Sequence, residues 1–405
     1  MERAIEEKII FHIDVNSAFL SWESVERLKN GESDLREIAS AVGGDMATRH
    51  GVILAKSIPA KKDHVRTGES IVEALRKCPG LVVVKPHHER YREYSRAFIR
   101  ILQEYTPDIE QVSIDEAFMD MTGTRLLFGE PVDLAYRIKD RIKNELGFTV
   151  NVGISSNKLL AKMASDFEKP DKVHTLFPEE IKEKMWQLPV SDLFFVGKAT
   201  AKKLNDLGIY KIGQIANADI HMLKMNLKKQ GETIWNFANG IDFSVVQSEP
   251  TQNKEYGNST TISFDVTEEA TAKWILLSLS EKVAERLRRD GLKIASVSVT
   301  IKDHNFKSKS HQKMLDAQTN ITSEIYHTAC ELFDELWDGT PIRLLGIQTS
   351  KIMEEDYGRQ LSLFDHTDYE KMERLDEAVD KIRGKYGKEY IKRASFLKKI
   401  FFILW

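Results

Sequence analysis

Cysteine is nearly absent: the 405 residues contain two, Cys78 and Cys330. Neither belongs to a Cys-x-x-Cys pair or has histidine near it at ligand spacing, which argues against a disulfide framework and a structural zinc site. Two thiols in so long a chain fit a reducing compartment, and a cytoplasmic location is expected. Long apolar runs are missing as well. No stretch approaches the roughly 20 residues that span a bilayer, so no membrane partner is expected, and the closing IFFILW is far too short to serve. The opening MERAIEEKIIFHIDVNSAF has no basic leader, and its apolar run breaks at His12 and Asp14, unlike a signal peptide. Excess charge is also lacking, with a net of −3. That sum does not exclude a polyanionic partner, because phosphate responds to local charge. Between Glu281 and Leu315 nine Lys/Arg face four Asp/Glu, a locally basic stretch. The length implies roughly two to four globular domains.

The same order of elements is read twice along the chain. KIIFHIDV (8–15) reads as a buried strand. YREYSRAFIRILQEY (91–105) puts Tyr91, Ser95, Phe98 and Leu102 on one helical stripe. Two short strands follow at 110–115 and 117–121, then a helix at 132–146 closed by Gly147 and the strand FTVNVGIS. Strand, helix, strand, strand, helix, strand is the ferredoxin-like order. It recurs from about Asn258 to Lys351. Residues 22–85 read as a small domain inserted in the first unit, and 181–240 as helices with short turns. From about 353 the chain turns polar, a linker with one apolar island. The expected class is α+β with several domains.

Three acids stand out. Asp14 ends a buried strand, and Asp115 and Glu116 fall where two short strands meet. Neighbours on a regular strand face opposite ways, so both acids converge only at the bend of a hairpin. Hard oxygen ligands gathered at strand ends suit magnesium, and two such ions would activate a 3′-hydroxyl and stabilise a leaving pyrophosphate. Each acid alone could equally be a solvated turn residue. A nucleotide cyclase could use paired acids on a similar sheet, and a DNA-binding protein without catalysis is a third reading.

HIDVNSAFLSWE (12–23), SIDEAFMD (113–120) and GISSNKLLAKMASDFEKPD (153–171) resemble the motifs of the Y-family, or lesion-bypass, DNA polymerases, over about residues 1–365. The resemblance implies template-directed, low-fidelity synthesis from primer-template DNA and deoxynucleoside triphosphates by a monomer. It implies a palm (1–21 and 86–180), fingers (22–85), a helical thumb (181–250), a second ferredoxin-like domain or little finger (251–352) and a tail (353–405). Asp14, Asp115, Glu116 and the backbone carbonyl of Val15 become metal ligands. Asn16 replaces a family aspartate that is not a ligand. Phe19 takes the place of the aromatic gate that excludes a 2′-hydroxyl. Lys169 matches a triphosphate-binding lysine. Ile58 and Lys61 stand where the family carries tyrosine and arginine, and lysine cannot grip phosphate as a bidentate fork.

VGKATAKKLNDLGIYKIGQIA (196–216) looks like a helix–hairpin–helix, in which Gly197 permits the turn and Lys198 opens a helix toward phosphate. In KIASVSVTIK, Ser296, Ser298, Thr300 and Lys302 alternate with apolar residues, and Lys307, Lys309 and Lys313 are expected to continue that polar face toward a duplex backbone. QLSLF (360–364) resembles a sliding-clamp-binding peptide, through Gln360, Leu363 and Phe364.

Overall fold

The computed structural model describes residues 8–44, 51–249, 253–353 and 368–399. QLSLF and the closing IFFILW lie outside the described residues. The chain divides into two compact units, one built from Met1–Gly44 and Val52–Pro250, the other chiefly from Thr251–Trp405.

In the first unit, β1 (Ile10–Val15) leads into α1 (Ala18–Lys29). The insertion supplies β2 (Ser40–Gly43), β3 (Ile53–Lys56), α2 (Ile58–Lys62), α3 (Ile71–Lys77) and β4 (Val82–Val84). Next come α4 (His88–Gln103), β5 (Ile109–Gln111), β6 (Glu116–Asp120), α5 (Arg125–Phe128), α6 (Pro131–Leu146), β7 (Val150–Ser155), α7 (Lys158–Ser165) and β8 (Val173–Thr175). The main sheet runs β5-β6-β1-β7-β8, and the insertion forms its own sheet, β3-β2-β4. Apart from β8, the first strand of the main sheet lies between the third and fourth, as the ferredoxin-like order requires. β2 and β8 were not expected, because runs of four and three residues carry too little alternation to read.

β1 is buried because strands cover both its edges and helices both its faces; of its six residues only Asp14 is less than fully buried. Its Phe11 and Ile13 pack with Trp22, Tyr91, Phe98, Ile138, Phe148 and Val152, while Ile10 on the other face meets Ala161 of α7. α6 starts on Pro131 and stops at Gly147, whose φ of +78° supplies the left-handed end that glycine tolerates. Gly153 on β7 serves a different need. A Cβ there would meet the Ala161 carbonyl oxygen at 1.9 Å and the Ser165 nitrogen at 2.5 Å, so only glycine lets α7 lie this close to the sheet. The unit ends in α8 (Lys198–Asp206), α9 (Ile212–Ala216), α10 (Ile220–Leu227) and α11 (Lys229–Ala238), which share a core of Leu204, Ile212, Ile215, Leu223 and Ile234.

The second unit comprises β9 (Tyr256–Val266), α12 (Glu269–Arg289), β10 (Lys293–Asp303), β11 (Ser308–Thr319), α13 (Thr322–Leu336), β12 (Ile342–Met353) and α14 (Tyr369–Tyr386). The element order repeats that of the first unit, but the strand order does not. It runs β11-β10-β12-β9, with the second and fourth strands central. α14 falls where a linker was expected. Its apolar residues recur at helical spacing (Met372, Leu375, Val379, Ile382, Tyr386), but Leu375, Ile382 and Tyr386 are exposed and Asp376 is its one buried residue. Polar contacts seat it: Arg288 reaches Asp376 at 3.1 Å and Asp380 at 2.6 Å. The periodicity is there to be read in the sequence, but the ion pairs that seat the helix are not.

Candidate active site

The register of the central sheet brings the expected acids together in part. Asp14 lies directly opposite Glu116 on one side and Asn151 on the other. The turn between β5 and β6 is tied to β1 by a 2.9 Å bond from the Val15 amide to the Asp115 carbonyl. Ser113 fixes the bend. Its hydroxyl donates to Asp115 Oδ1 at 2.6 Å and accepts from the amides of Asp115 and Glu116, each at 3.2 Å. Asp115 therefore closes the turn while Glu116 opens the strand, and sequence neighbours escape strict alternation.

Asp14 and Asp115 line a cavity of about 420 Å³, together with Val15, Phe19, Lys56, Ile58, Lys61, Thr67 and Lys169. Glu116 does not line it and turns toward α7. Its Oε2 accepts from Lys162 at 2.6 Å and lies 3.3 Å from His12 Nε2. His12 is fully buried, and its Nδ1 lies 2.7 Å from the Ser165 hydroxyl. Asp14 is paired with Lys169 at 3.1 Å, and Lys169 also reaches Asp166 at 2.8 Å. Among the described residues no three His, Cys, Asp or Glu side chains gather closely enough to hold a metal ion. Ammonium groups neutralise two of the three acids.

The acids differ electrically. The His12 ring 3.3 Å away, followed by Lys162, holds the Glu116 carboxyl down at about 2 against the cost of burial. Burial pushes Asp14 upward, and Lys169 only partly offsets it. Burial outweighs the Glu116 contact at His12 and lowers its pKa, which favours a neutral ring. In the cavity wall burial and then the charge of Lys61 lower the Lys56 ammonium, whose Nζ lies 3.3 Å from Thr67 Oγ1. A pair of cations facing a shared space suits an anionic ligand.

Two neighbours of Asp14 are held by unlike means. Asn16 Nδ2 donates to Asn151 Oδ1 at 3.1 Å, and Asn16 Oδ1 accepts from Thr149 and the Asp171 amide, both at 2.9 Å. Asn151 in turn donates to the carbonyls of Ser165 and Glu168 at 3.0 and 2.6 Å. These amides pin the loop that carries Lys169. Phe19 is stacked on Tyr91, with ring centres 4.7 Å apart at 16°, and lies edge-on to His88. Its ring is a rigid wall of the cavity.

His12, Lys56, Ser113 and Lys162 were not singled out from sequence. His12 shares a strand face with Asp14 by the period of two, and Lys158, Lys162 and Ser165 share a helical face, so two of the four were readable.

The other expected residues lie elsewhere. Gly197 does not make the turn before α8: its φ is −80°, and the left-handed residue is Phe195, at +74°. Lys198 is exposed at the start of α8. On the second sheet, Lys302 pairs with Ser308 and Leu344, on the face that also carries Ser298, Thr300, Ser310 and Gln348. Lys307 sits in the turn beyond, its amide bonded to Asp303. Lys309 and Lys313 depart from the expectation. They lie opposite Ile301 and Val297, on the helix-covered face, and pair with Asp338 at 2.6 Å and Glu331 at 2.7 Å. β11 is an edge strand that overhangs α13, so cross-strand parity assigns them to that side.

Three segments match models of one family: 13–166 the impB/mucB/samB family, 178–209 its HHH motif and 253–363 its C-terminal domain. The chain is 48% identical over 393 residues to DNA polymerase IV of Clostridium acetobutylicum, covering 97% of this chain and 99% of that protein. It is 41% identical to DNA polymerase IV of Acetivibrio thermocellus (96% and 98% covered) and 36% to DNA polymerase IV 1 of Bacillus subtilis (97% and 94%). A solved Y-family DNA polymerase chimera, 22% identical, superposes with a TM-score of 0.73 over 86% of this chain and all of its own.

Proposed function

The chain belongs to the impB/mucB/samB family of Y-family DNA polymerases, and from that membership we infer that it adds deoxynucleotides to a DNA primer opposite a template, including damaged template. The observation that supports this reading best is the register pairing of Asp14 with Glu116, beside a turn that presents Asp115 to a cavity with cationic walls.

Residues 1–21 and 86–180 would serve as palm, 22–85 as fingers, 181–250 as thumb and 251–352 as little finger. The family works with divalent metal ions, and the donors here are all oxygen, the preference of magnesium. We assign two magnesium ions to Asp14, Asp115, Glu116 and the Val15 carbonyl. Once bound, such ions lower the pKa of the attacking hydroxyl and neutralise charge on the leaving pyrophosphate. The chain's own part is positional. Glu116 must leave Lys162, and Asp14 must share or release Lys169, for these acids to act as ligands.

Lys169, freed in this way, would meet the triphosphate as a point charge, joined from the fingers by Lys61. Ile58 offers no hydroxyl at its own position, so more of the grip on the phosphates falls to the ammonium groups. Phe19 would close the space under the sugar C2′ and reject a 2′-hydroxyl by contact. Lys302 and Lys307 would meet the duplex backbone within a hydroxyl-rich face. Gln360, Leu363 and Phe364 are assigned to a sliding clamp. No helix of the described residues is long and apolar enough to cross a membrane. From the family's work on DNA we expect a cytoplasmic monomer.

The test is primer extension with Asp115→Ala. Extension should fall by about a thousandfold or more while primer-template affinity stays within about threefold. Extension at the parent rate would remove the assignment.

A further inference from the structure

This inference rests on the reading that residues 196–216 bind a DNA backbone. We propose that Phe195 is a DNA-contacting residue whose ring packs on the deoxyribose face of the bound duplex, beside the amides that open α8.

The turn distributes its residues against its own conformational needs. Phe195 occupies φ +74°, a left-handed conformation that glycine adopts freely and an aromatic residue rarely does. Two positions on, Gly197 is extended at φ −80°, where any residue fits, and a Cβ added there would meet nothing within 4 Å. For the fold alone, the two residues would be better exchanged. Something outside the fold explains both. A missing side chain at 197 admits close approach by a backbone, and a ring at 195 offers that backbone an apolar surface.

The ring is also placed rather than stowed. It remains 62% exposed. Phe194 and Phe237 touch it edge-on, with ring centres at 5.3 and 6.1 Å and interplanar angles of 66° and 88°, so they prop it upright without covering it. Gln230 donates to the Phe195 carbonyl at 3.1 Å, which draws the start of α11, with exposed Lys228 and Lys229, to the same rim as Lys198. An exposed ring among lysines matches a polyanion with apolar faces. The sugar-phosphate backbone of DNA has that composition, its phosphates for the lysines and its deoxyribose for the ring.

The experiment measures binding of a fluorescent primer-template to the full chain across a salt series, beside thermal melting. Phe195→Gly and Phe195→Asn both suit the left-handed conformation. Each should melt at or above the parent temperature yet bind DNA about fivefold or more weakly. The slope of log affinity against log salt should not change, because no cation is lost. Lys198→Ala should instead reduce that slope by about one. Undiminished affinity in both variants overturns the proposal, and so does affinity that falls only together with melting temperature. A parent chain that binds no primer-template would overturn the underlying reading of the motif instead.

Discussion

The two large sheets are assembled from the same sequence of elements, yet one holds carboxylates at its centre and the other holds hydroxyls. The difference is strand order. In the first sheet the opening strand lies between its third and fourth partners, so the end of β1 has a neighbour on each side: Glu116 and Asn151 flank Asp14. In the second sheet the opening strand is at the edge, and the middle is shared by β10 and β12, where Ser298 faces Gln348. Charge at the centre of a sheet needs partners, and the first sheet supplies them from α7 and the Lys169 loop. The second unit keeps its lysines near edges and turns, where water or Asp338 and Glu331 can meet them. One arrangement suits chemistry on a few atoms; the other suits contact along a surface.

The widest gap between the sheets should appear on substituting a central residue in each. Asp14→Asn should lower extension by about a thousandfold with little change in DNA affinity, whereas Ser298→Ala should alter affinity alone. Pre-steady-state incorporation by both variants would decide this, and a comparable loss of rate in the two would erase the distinction. A smaller effect is expected at the cavity wall. Phe19→Ala should relax discrimination against ribonucleotides by about a hundredfold, read as the ratio of kcat/KM for the two sugars, with the second sheet uninvolved.

Within the second sheet, Lys302→Ala should reduce the salt slope of DNA binding by about one, and Lys309→Ala should leave it unchanged because Asp338 already engages that charge. Equal slopes for the two variants would contradict the face assignment. The smallest effect is acid stability. Burial alone would raise Asp171, but hydrogen bonds from Lys139 and Lys143 hold it below its ordinary 3.8. A depressed carboxyl contributes stability above its unfolded pKa and loses it as pH falls through the folded value. Lys139→Met should therefore cost at most about 1 kcal/mol near neutrality, with its melting curve approaching the parent's below about pH 4.

Much of this was legible in the sequence. Buried strands and amphipathic helices announce themselves by period, and Asp14, Asp115 and Glu116 could be placed because strand ends and a hairpin bend leave few alternatives. What escaped was set by contacts distant in sequence. Lys162 meets Glu116 only because α7 returns across the sheet. α14 is seated by ion pairs to Arg288, a helix away, rather than by its apolar residues. Lys309 was assigned to the wrong face because counting along one strand does not reveal which side of an edge a helix shelters. Phe195 escaped because the glycine two residues later was assumed to carry the turn.

The absence of a side chain at Gly153 has a consequence for how this enzyme can change over generations. Directly over that residue α7 meets the strand through main-chain atoms, with no side chain between them to give way. Lys158 and Lys162 ride on the same helix, so a single added methyl group beneath it would displace both ammonium groups at once, a change closed to inheritance however the rest of the interior varies.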